Sequence, residues 1–140
     1  MRAMAIDYGD AHTGVAVSDL TGLLAGYTET IHTRRPEEVL RRLGELAQEY
    51  AVTELVLGYP KNMDGTLGPR AEKAAAFAGE LEAALGLPVR LWDERRTTIE
   101  AHGILAGAGR RARERKKTVD AVAAALILEG YLTFRRGEKP

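Results

Sequence analysis

The stretch MAIDYGDAHTGVAVSD, residues 4–19, decides how the chain is read. Residues 2–7 (RAMAID) form a short apolar run that ends at an aspartate, with a glycine two positions on, as a buried strand entering a turn would. Residues 14–19 (GVAVSD) form a second β-prone run, so a hairpin is expected between the two. Asp7 stands where the first strand runs out, and Gly9 lets the backbone bend sharply or approach a ligand. On its own, Asp7 is better explained as a strand-end aspartate capping a turn, which is a common arrangement.

Outward from the hairpin, Thr28–Ile31 reads as a weaker third strand, completing an antiparallel meander. The period then changes. Between Pro36 and Tyr50 the apolar residues Val39, Leu40, Leu43, Leu46 and Ala47 fall on one helical stripe, with Pro36 suited to the first turn. Glu54–Leu57 is the next strand. The loop 58–69 (GYPKNMDGTLGP) holds more glycine and proline than a plain connection needs. A second helix is expected over Arg70–Leu85 with Gly86 stopping it, then a strand at Val89–Asp93. Thr97 and Glu100 fit a capping box for a helix to about residue 106. Residues 107–117 read as a Gly- and Arg-rich loop, Thr118–Thr133 as a last helix, and RRGEKP as a frayed tail. This order gives an α/β chain with a mixed sheet flanked by helices.

Composition bounds the function. A chain of 140 residues, 45% of them apolar, is expected to form one domain over 1–140 with a substantial core. Cysteine is absent, which excludes disulfides and thiolate metal sites. His12, His32 and His102 are far apart and none lies in an H-E-x-x-H pattern, so an imidazole zinc site is not expected unless the fold gathers them. The opening MRAMAIDYGD is too short and too soon acidic for a signal peptide. No apolar run approaches the roughly 18 residues of a membrane span. A cytoplasmic protein without a membrane partner is expected. Net charge is zero, but residues 110–117 (RRARERKK) carry six basic side chains and one glutamate. Such a stripe either tracks a phosphate backbone or forms a solvated loop.

Two further acidic positions stand out. In the last helix, positions 120, 123, 124, 127 and 131 share one face and read Asp, Ala, Ala, Ile, Tyr. The helix dipole accounts for an aspartate near the N-terminus but not for its place on an apolar face, where a cation would offset the cost of burial. Asp93-Glu94 closes a strand, and alternation sends the two side chains to opposite faces; the sequence does not say which one faces a site. Carboxylates gathered from two strand ends and a helix would suit Mg²⁺ or Mn²⁺ and phosphodiester hydrolysis without a side-chain nucleophile.

Four blocks then resemble one family. Residues 4–19 look like the opening hairpin of the YqgF (RuvX) family, the pre-16S ribosomal RNA nucleases related to Holliday junction resolvases. GYPKNMDGTLGPRAEKAAAFAGEL (58–81) is similar to its loop and helix motif, and WDERRTTIEA (92–101) and KKTVDAVAAALILEGYL (116–132) to its remaining blocks. The resemblance implies a ribonuclease-H-like fold: a five-stranded mixed sheet made of a three-strand meander plus two parallel strands. It implies a nuclease using Mg²⁺ or Mn²⁺ held by Asp7, Glu94 and Asp120, with Glu94 chosen over Asp93 by the family pattern. Asn62, Asp64, Gly65 and Arg70 match the loop motif and are expected to shape the substrate groove or position phosphate. Thr97, Lys116 and Lys117 match too, with phosphate contact as their expected role. The first-loop position that is often basic in the family is here Ala11-His12-Thr13.

The implied activity is cleavage of structured nucleic acid at the 5′ end of pre-16S ribosomal RNA, by a monomer or homodimer. Resolution of four-way DNA junctions and RNA binding without cleavage are the alternatives. The spacing Asp7-Tyr8-Gly9 to Gly14 also occurs in the phosphate hairpin of actin-like ATPases and sugar kinases. Those enzymes clasp nucleotide between two such domains, and this chain has length for one.

Overall fold

Along residues 2–7 large and small side chains alternate: Met4 and Ile6 against Ala3 and Ala5, all of them buried. A strand sends successive side chains to opposite faces, so this run makes a sheet with one bulky face and one nearly bare face. The computed structural model describes residues 2–22, 24–60, 64–93 and 112–137, and of 112–120 the backbone alone. In it β1 (Arg2–Asp7), β2 (His12–Ser18) and β3 (Ala25–His32) form the antiparallel meander. Strands β4 (Val52–Tyr59) and β5 (Val89–Asp93) add in parallel on the other side of β1, giving the order β3-β2-β1-β4-β5.

The bulky face is covered by α1 (Pro36–Glu49) and α2 (Pro69–Leu85). Val39, Leu43 and Leu46 of α1 and Ala74, Phe77 and Leu81 of α2 pack there with Met4, Ile6, Val15, Val17, Leu55 and Leu57. The bare face receives α3 (Ala112–Gly137), whose Ala124, Ile127, Leu128, Tyr131 and Leu132 meet Ala3, Ala5, Ala16 and Val56. Gly86 ends α2 in the left-handed region at φ 67°, its N–H donating to the Glu82 carbonyl. No described helix is long and apolar enough to cross a membrane.

Several boundaries differ from expectation. Strand β3 spans Ala25–His32 rather than 28–31. It is an edge strand, so its polar residues keep one side in solvent while the ladder to β2 extends over them. Strand β4 is longer than 54–57 at both ends because β1 and β5 pair with it on either side. The expected loop 107–117 is corrected over its last six positions: Ala112–Lys117 is helical and continues directly into the last helix. Ala, Arg, Glu and Lys are strong helix formers, and a basic run of that composition extends a helix as readily as it solvates a loop. The frayed tail is corrected likewise, since Arg135–Gly137 belongs to α3. The helix expected after Thr97 lies outside the described residues.

One ion pair fastens α1 to the edge strand. Arg42 donates through Nε and Nη2 to both carboxylate oxygens of Glu29, each at 2.7 Å, and Tyr27 adds its hydroxyl at 2.6 Å. Arg42, with burial opposing it, holds the Glu29 carboxyl below its ordinary value of 4.5. A carboxylate with a depressed folded pKa contributes stability that is present above its unfolded pKa and lost as pH falls through the folded one. Arg42→Met is therefore expected to cost about 1–2 kcal/mol at neutral pH. In urea unfolding followed from pH 7 to pH 3, the difference from wild type should shrink below about pH 4.5. A gap that stays constant down to pH 3 would remove the pair from the account of stability.

Candidate active site

Register fixes which residues share a level at the C-terminal ends of the parallel strands. Ile6 pairs with Leu57, so Asp7 stands level with Gly58, and Gly58 pairs with Trp92. Parity fixes the face: Asp7 follows Ala3 and Ala5, Gly58 follows Val56, and Trp92 packs with the same cluster under α3. Asp7, Gly58 and Trp92 thus form one row on the α3 face. Two strand spacings, roughly 9–10 Å between Cα positions, separate β1 from β5 in that row. Gly58 carries no side chain, so β4 puts nothing between Asp7 and the end of β5.

Alternation also bears on the acidic pair. Val89 packs with the α1 and α2 cluster and Trp92 with the α3 cluster. Asp93, next after Trp92, therefore falls on the side away from Asp7. Glu94 lies outside the described residues.

Helix α3 is registered on the sheet by Glu54. This carboxylate accepts a hydrogen bond from the Tyr131 hydroxyl at 3.1 Å and pairs with Arg135. Glu54 is level with Ala3, at the start of the parallel strands. From Ala3 to Asp7, four strand residues advance roughly 13 Å. From Tyr131 to Asp120 the helix spans eleven residues, roughly 16 Å. Asp120 lies one turn before the buried Ala124, which packs on the sheet face that Asp7 shares.

The turn after Asp7 is held from below by α2. Tyr8 stacks on Phe77 with ring centroids 3.9 Å apart and an interplanar angle of 1°, and burial pushes its phenol pKa up. Asp10 forms an ion pair with Lys73. The Lys73 hydrogen bond, with help from Arg70 and Arg34, holds the Asp10 carboxyl below the usual range. A Cβ at Gly9 would lie 2.4 Å from the His12 carbonyl oxygen, so the turn closes only around glycine.

Of the residues expected from sequence, Asp7 and the helix that carries Asp120 share one face of the sheet. Arg70, in the first turn of α2, lies close enough to Asp10 for its charge to help lower that carboxyl's pKa. Asp64 closes its own loop: Oδ1 accepts from Thr66 N at 2.9 Å and Thr66 Oγ1 at 2.6 Å, next to Gly65 at φ 90°. Asn62 and Thr97 lie outside the described residues. Lys116 and Lys117 are on helical backbone rather than in a loop. Among the described residues, no three His, Cys, Asp or Glu side chains converge as a metal site. Sequence reasoning missed Gly58, although a glycine inside the apolar run ELVLGY signals a close approach. It also missed the Tyr8–Phe77 and Asp10–Lys73 contacts, which bridge distant segments and leave no local pattern.

Residues 1–134 match the RuvX family, described as Holliday junction resolvase. The chain belongs to the RuvX family. A relative from Halothermothrix orenii, carrying the name pre-16S rRNA nuclease, is 47% identical over 135 residues, covering 96% of each chain. One of the same name from Bacillus subtilis (strain 168) is 46% identical over 134 residues, covering 94% of this chain and 97% of its own. Among solved structures, RuvC from Thermus thermophilus superposes with a TM-score of 0.60 at 18% identity, over 98% of this chain and 97% of its own. That likeness shows the fold, which is ribonuclease-H-like. As a RuvX-family member the chain is a nuclease, a hydrolase of phosphodiester bonds.

In this RuvX chain, Gly9→Ala should shift the hairpin turn, costing about 1–3 kcal/mol by overpacking and displacing Asp7. Thermal unfolding and cleavage assays on the same preparation check this. Wild-type stability with wild-type cutting would show that the turn has room.

Proposed function

We propose that this chain cuts structured nucleic acid with Mg²⁺ or Mn²⁺ held by Asp7, Glu94 and Asp120, its substrate being the 5′ end of pre-16S ribosomal RNA. The observation that supports it is the level row Asp7, Gly58 and Trp92 on the sheet face that α3 covers, in which Gly58 leaves no side chain between Asp7 and the end of β5. Donor chemistry fits: carboxylate oxygens at spaced positions suit hard divalent cations. When bound, such ions polarise the scissile phosphate and lower the pKa of the attacking water. The strand parity that turns Asp93 away from Asp7 leaves Glu94 as the acid of that pair to test.

The chain's own residues do the rest. Asp7 is fixed by a hairpin turn that Tyr8 and Asp10 tie to α2, so its carboxylate is positioned before substrate arrives. Asp10 is already neutralised by Lys73, which keeps a second acid in the turn from repelling phosphate. Arg34 and Arg70 add positive charge near the turn, and Lys116 and Lys117, on the helix that carries Asp120, are assigned to phosphate contact. Asn62, Asp64 and Thr97 shape the groove. The chain acts as one domain, in the cytoplasm where ribosomal precursors are made. The names of its relatives support the RNA substrate. The family description supports a second reading, four-way DNA junctions, which requires two sites in a homodimer to place two cuts.

A cleavage panel separates these readings: precursor ribosomal RNA, single-stranded RNA and four-way DNA, each with Mg²⁺, Mn²⁺ and chelator. Asp7→Asn and Glu94→Gln should lower the cutting rate by roughly a thousandfold or more, about 4 kcal/mol in the barrier. Asp93→Asn should lower it less than about tenfold. Asp7→Asn should leave the unfolding midpoint unchanged or raised, because it removes charge from an acidic cluster. Asp93→Asn abolishing cutting while Glu94→Gln does not would reverse the assignment.

Binding is read separately under chelation. Lys116→Glu with Lys117→Glu should weaken affinity. It should also flatten the slope of log affinity against log salt by about 0.7–0.9 for each phosphate that is no longer neutralised. An unaltered slope would take these lysines out of the interface.

A further inference from the structure

Three histidines are the only nitrogen or sulfur side-chain ligands of borderline softness in a chain without cysteine. The fold gathers two of them. His12 opens β2, His32 closes β3, and the two are direct partners across the antiparallel ladder. Their Nδ1 atoms are 2.8 Å apart, and the rings meet edge to face at 84° with centroids 4.8 Å apart. Both residues are exposed. Two bare nitrogens at that distance would set lone pair against lone pair, and two protonated ones hydrogen against hydrogen. One proton therefore lies between them.

A cation that accepts both lone pairs resolves the same conflict. In a neutral pair the shared proton then moves to Nε2 of its own ring; a singly charged pair releases one proton to solvent. Metal–imidazole bonds are about 2.0–2.1 Å long. Two of them at a right angle span roughly 2.9 Å, and at the tetrahedral angle roughly 3.3 Å, so the exposed rings need open by only a few tenths of an ångström.

We propose that His12 and His32 form a two-imidazole clip for a zinc-, nickel- or copper-type divalent cation, separate from the carboxylate centre. Imidazole favours these ions over Mg²⁺ and Ca²⁺, so the two centres select different metals. The clip shares a face with the catalytic row. His12 has the parity of Gly14 and Ala16, Gly14 pairs with Asp7, and Ala16 packs under α3. His12 lies two residues, roughly 7 Å, farther out along β2 than Gly14. No third His, Asp or Glu completes the pair among the described residues, which leaves coordination positions for water or a phosphate oxygen. The turn at Tyr8–Ala11 has no lysine or arginine of its own. A cation in the clip supplies positive charge where that hairpin has none. This use at the substrate rests on the nuclease reading; the clip itself does not.

Calorimetric titration of the full chain with Zn²⁺ and with Ni²⁺, in excess Mg²⁺, tests it. One ion per chain should bind, at least tenfold more weakly in His12→Asn and in His32→Asn. Affinity should be unchanged in His102→Asn and in Asp7→Asn. Since Asp7→Asn abolishes cutting yet keeps the clip, failure of the clip and failure of the nuclease reading are told apart. Wild-type affinity in His12→Asn and His32→Asn, or loss in His102→Asn or Asp7→Asn, overturns the proposal. Should either histidine variant unfold, imidazole ¹⁵N spectra of the wild type decide. Both Nδ1 resonances should move together with one equivalent of Zn²⁺ and stay put with Mg²⁺; absence of that paired movement overturns the clip.

Discussion

One carboxylate, Glu54, determines where the last helix lies on the sheet. Its side chain is only 12% exposed, and its charge is met by the Tyr131 hydroxyl and Arg135. A buried charge of this kind is a weak source of net stability, because desolvation offsets the attraction. What it contributes is position. Apolar contacts between a helix and a face of alanines tolerate sliding, whereas a carboxylate that must find both a hydroxyl and a guanidinium tolerates very little. A slip of one helical turn would carry position 120 about 5.4 Å along the sheet. Ions shared between carboxylates sit only about 3.5–4 Å apart, so such a slip would be enough to open the proposed centre. Glu129, which accepts from the Ala25 amide at 3.3 Å, ties the same helix to the edge strand and opposes rotation.

The sheet divides its labour between its faces. Met4, Ile6, Val15, Val17, Leu55 and Leu57 lie under α1 and α2, where large side chains bury most apolar area. Ala3, Ala5 and Ala16 lie under α3 and bury much less, but they let the helix approach the backbone closely. The small face continues through Gly14 and Gly58 to the end where Asp7 stands. The floor beside Asp7 is therefore mostly backbone, which in the proposed reading leaves room above it for ions and a phosphate. Stability drawn from one face allows the other to be built for approach.

How much of this is legible in the sequence follows from the range of each interaction. The short apolar run RAMAID ending at an aspartate and the 3.6-residue stripe from Val39 to Ala47 are local, and they mark β1 and α1 correctly. Gly86 as the stop of α2 is equally local, since its positive φ is a property of one residue. The start of α3 is misread as loop because ARERKK is both a charge run and a string of helix formers, and only the continuing helix decides between them. For the acidic pair, alternation says that 93 and 94 diverge, but which face is inward depends on Trp92 packing under α3. The histidines show the limit most clearly. Twenty residues apart, they meet through the β2–β3 register, which no local motif encodes.

Zero net charge is no obstacle to binding a polyanion when the charges are segregated. Asp10, which would otherwise add to the negative potential beside Asp7, is discharged onto Lys73. Glu29 is likewise occupied by Arg42, on the edge strand beneath α1. Acids both beside Asp7 and away from it are thus engaged in ion pairs, while Arg34 and Arg70 stand close enough to Asp10 to be felt by it. The field at the sheet end is set by the charges not cancelled locally, and screening over about 8–10 Å keeps distant acids from reversing it. In a neutral chain the pairing of charges, more than their number, determines where phosphate can approach.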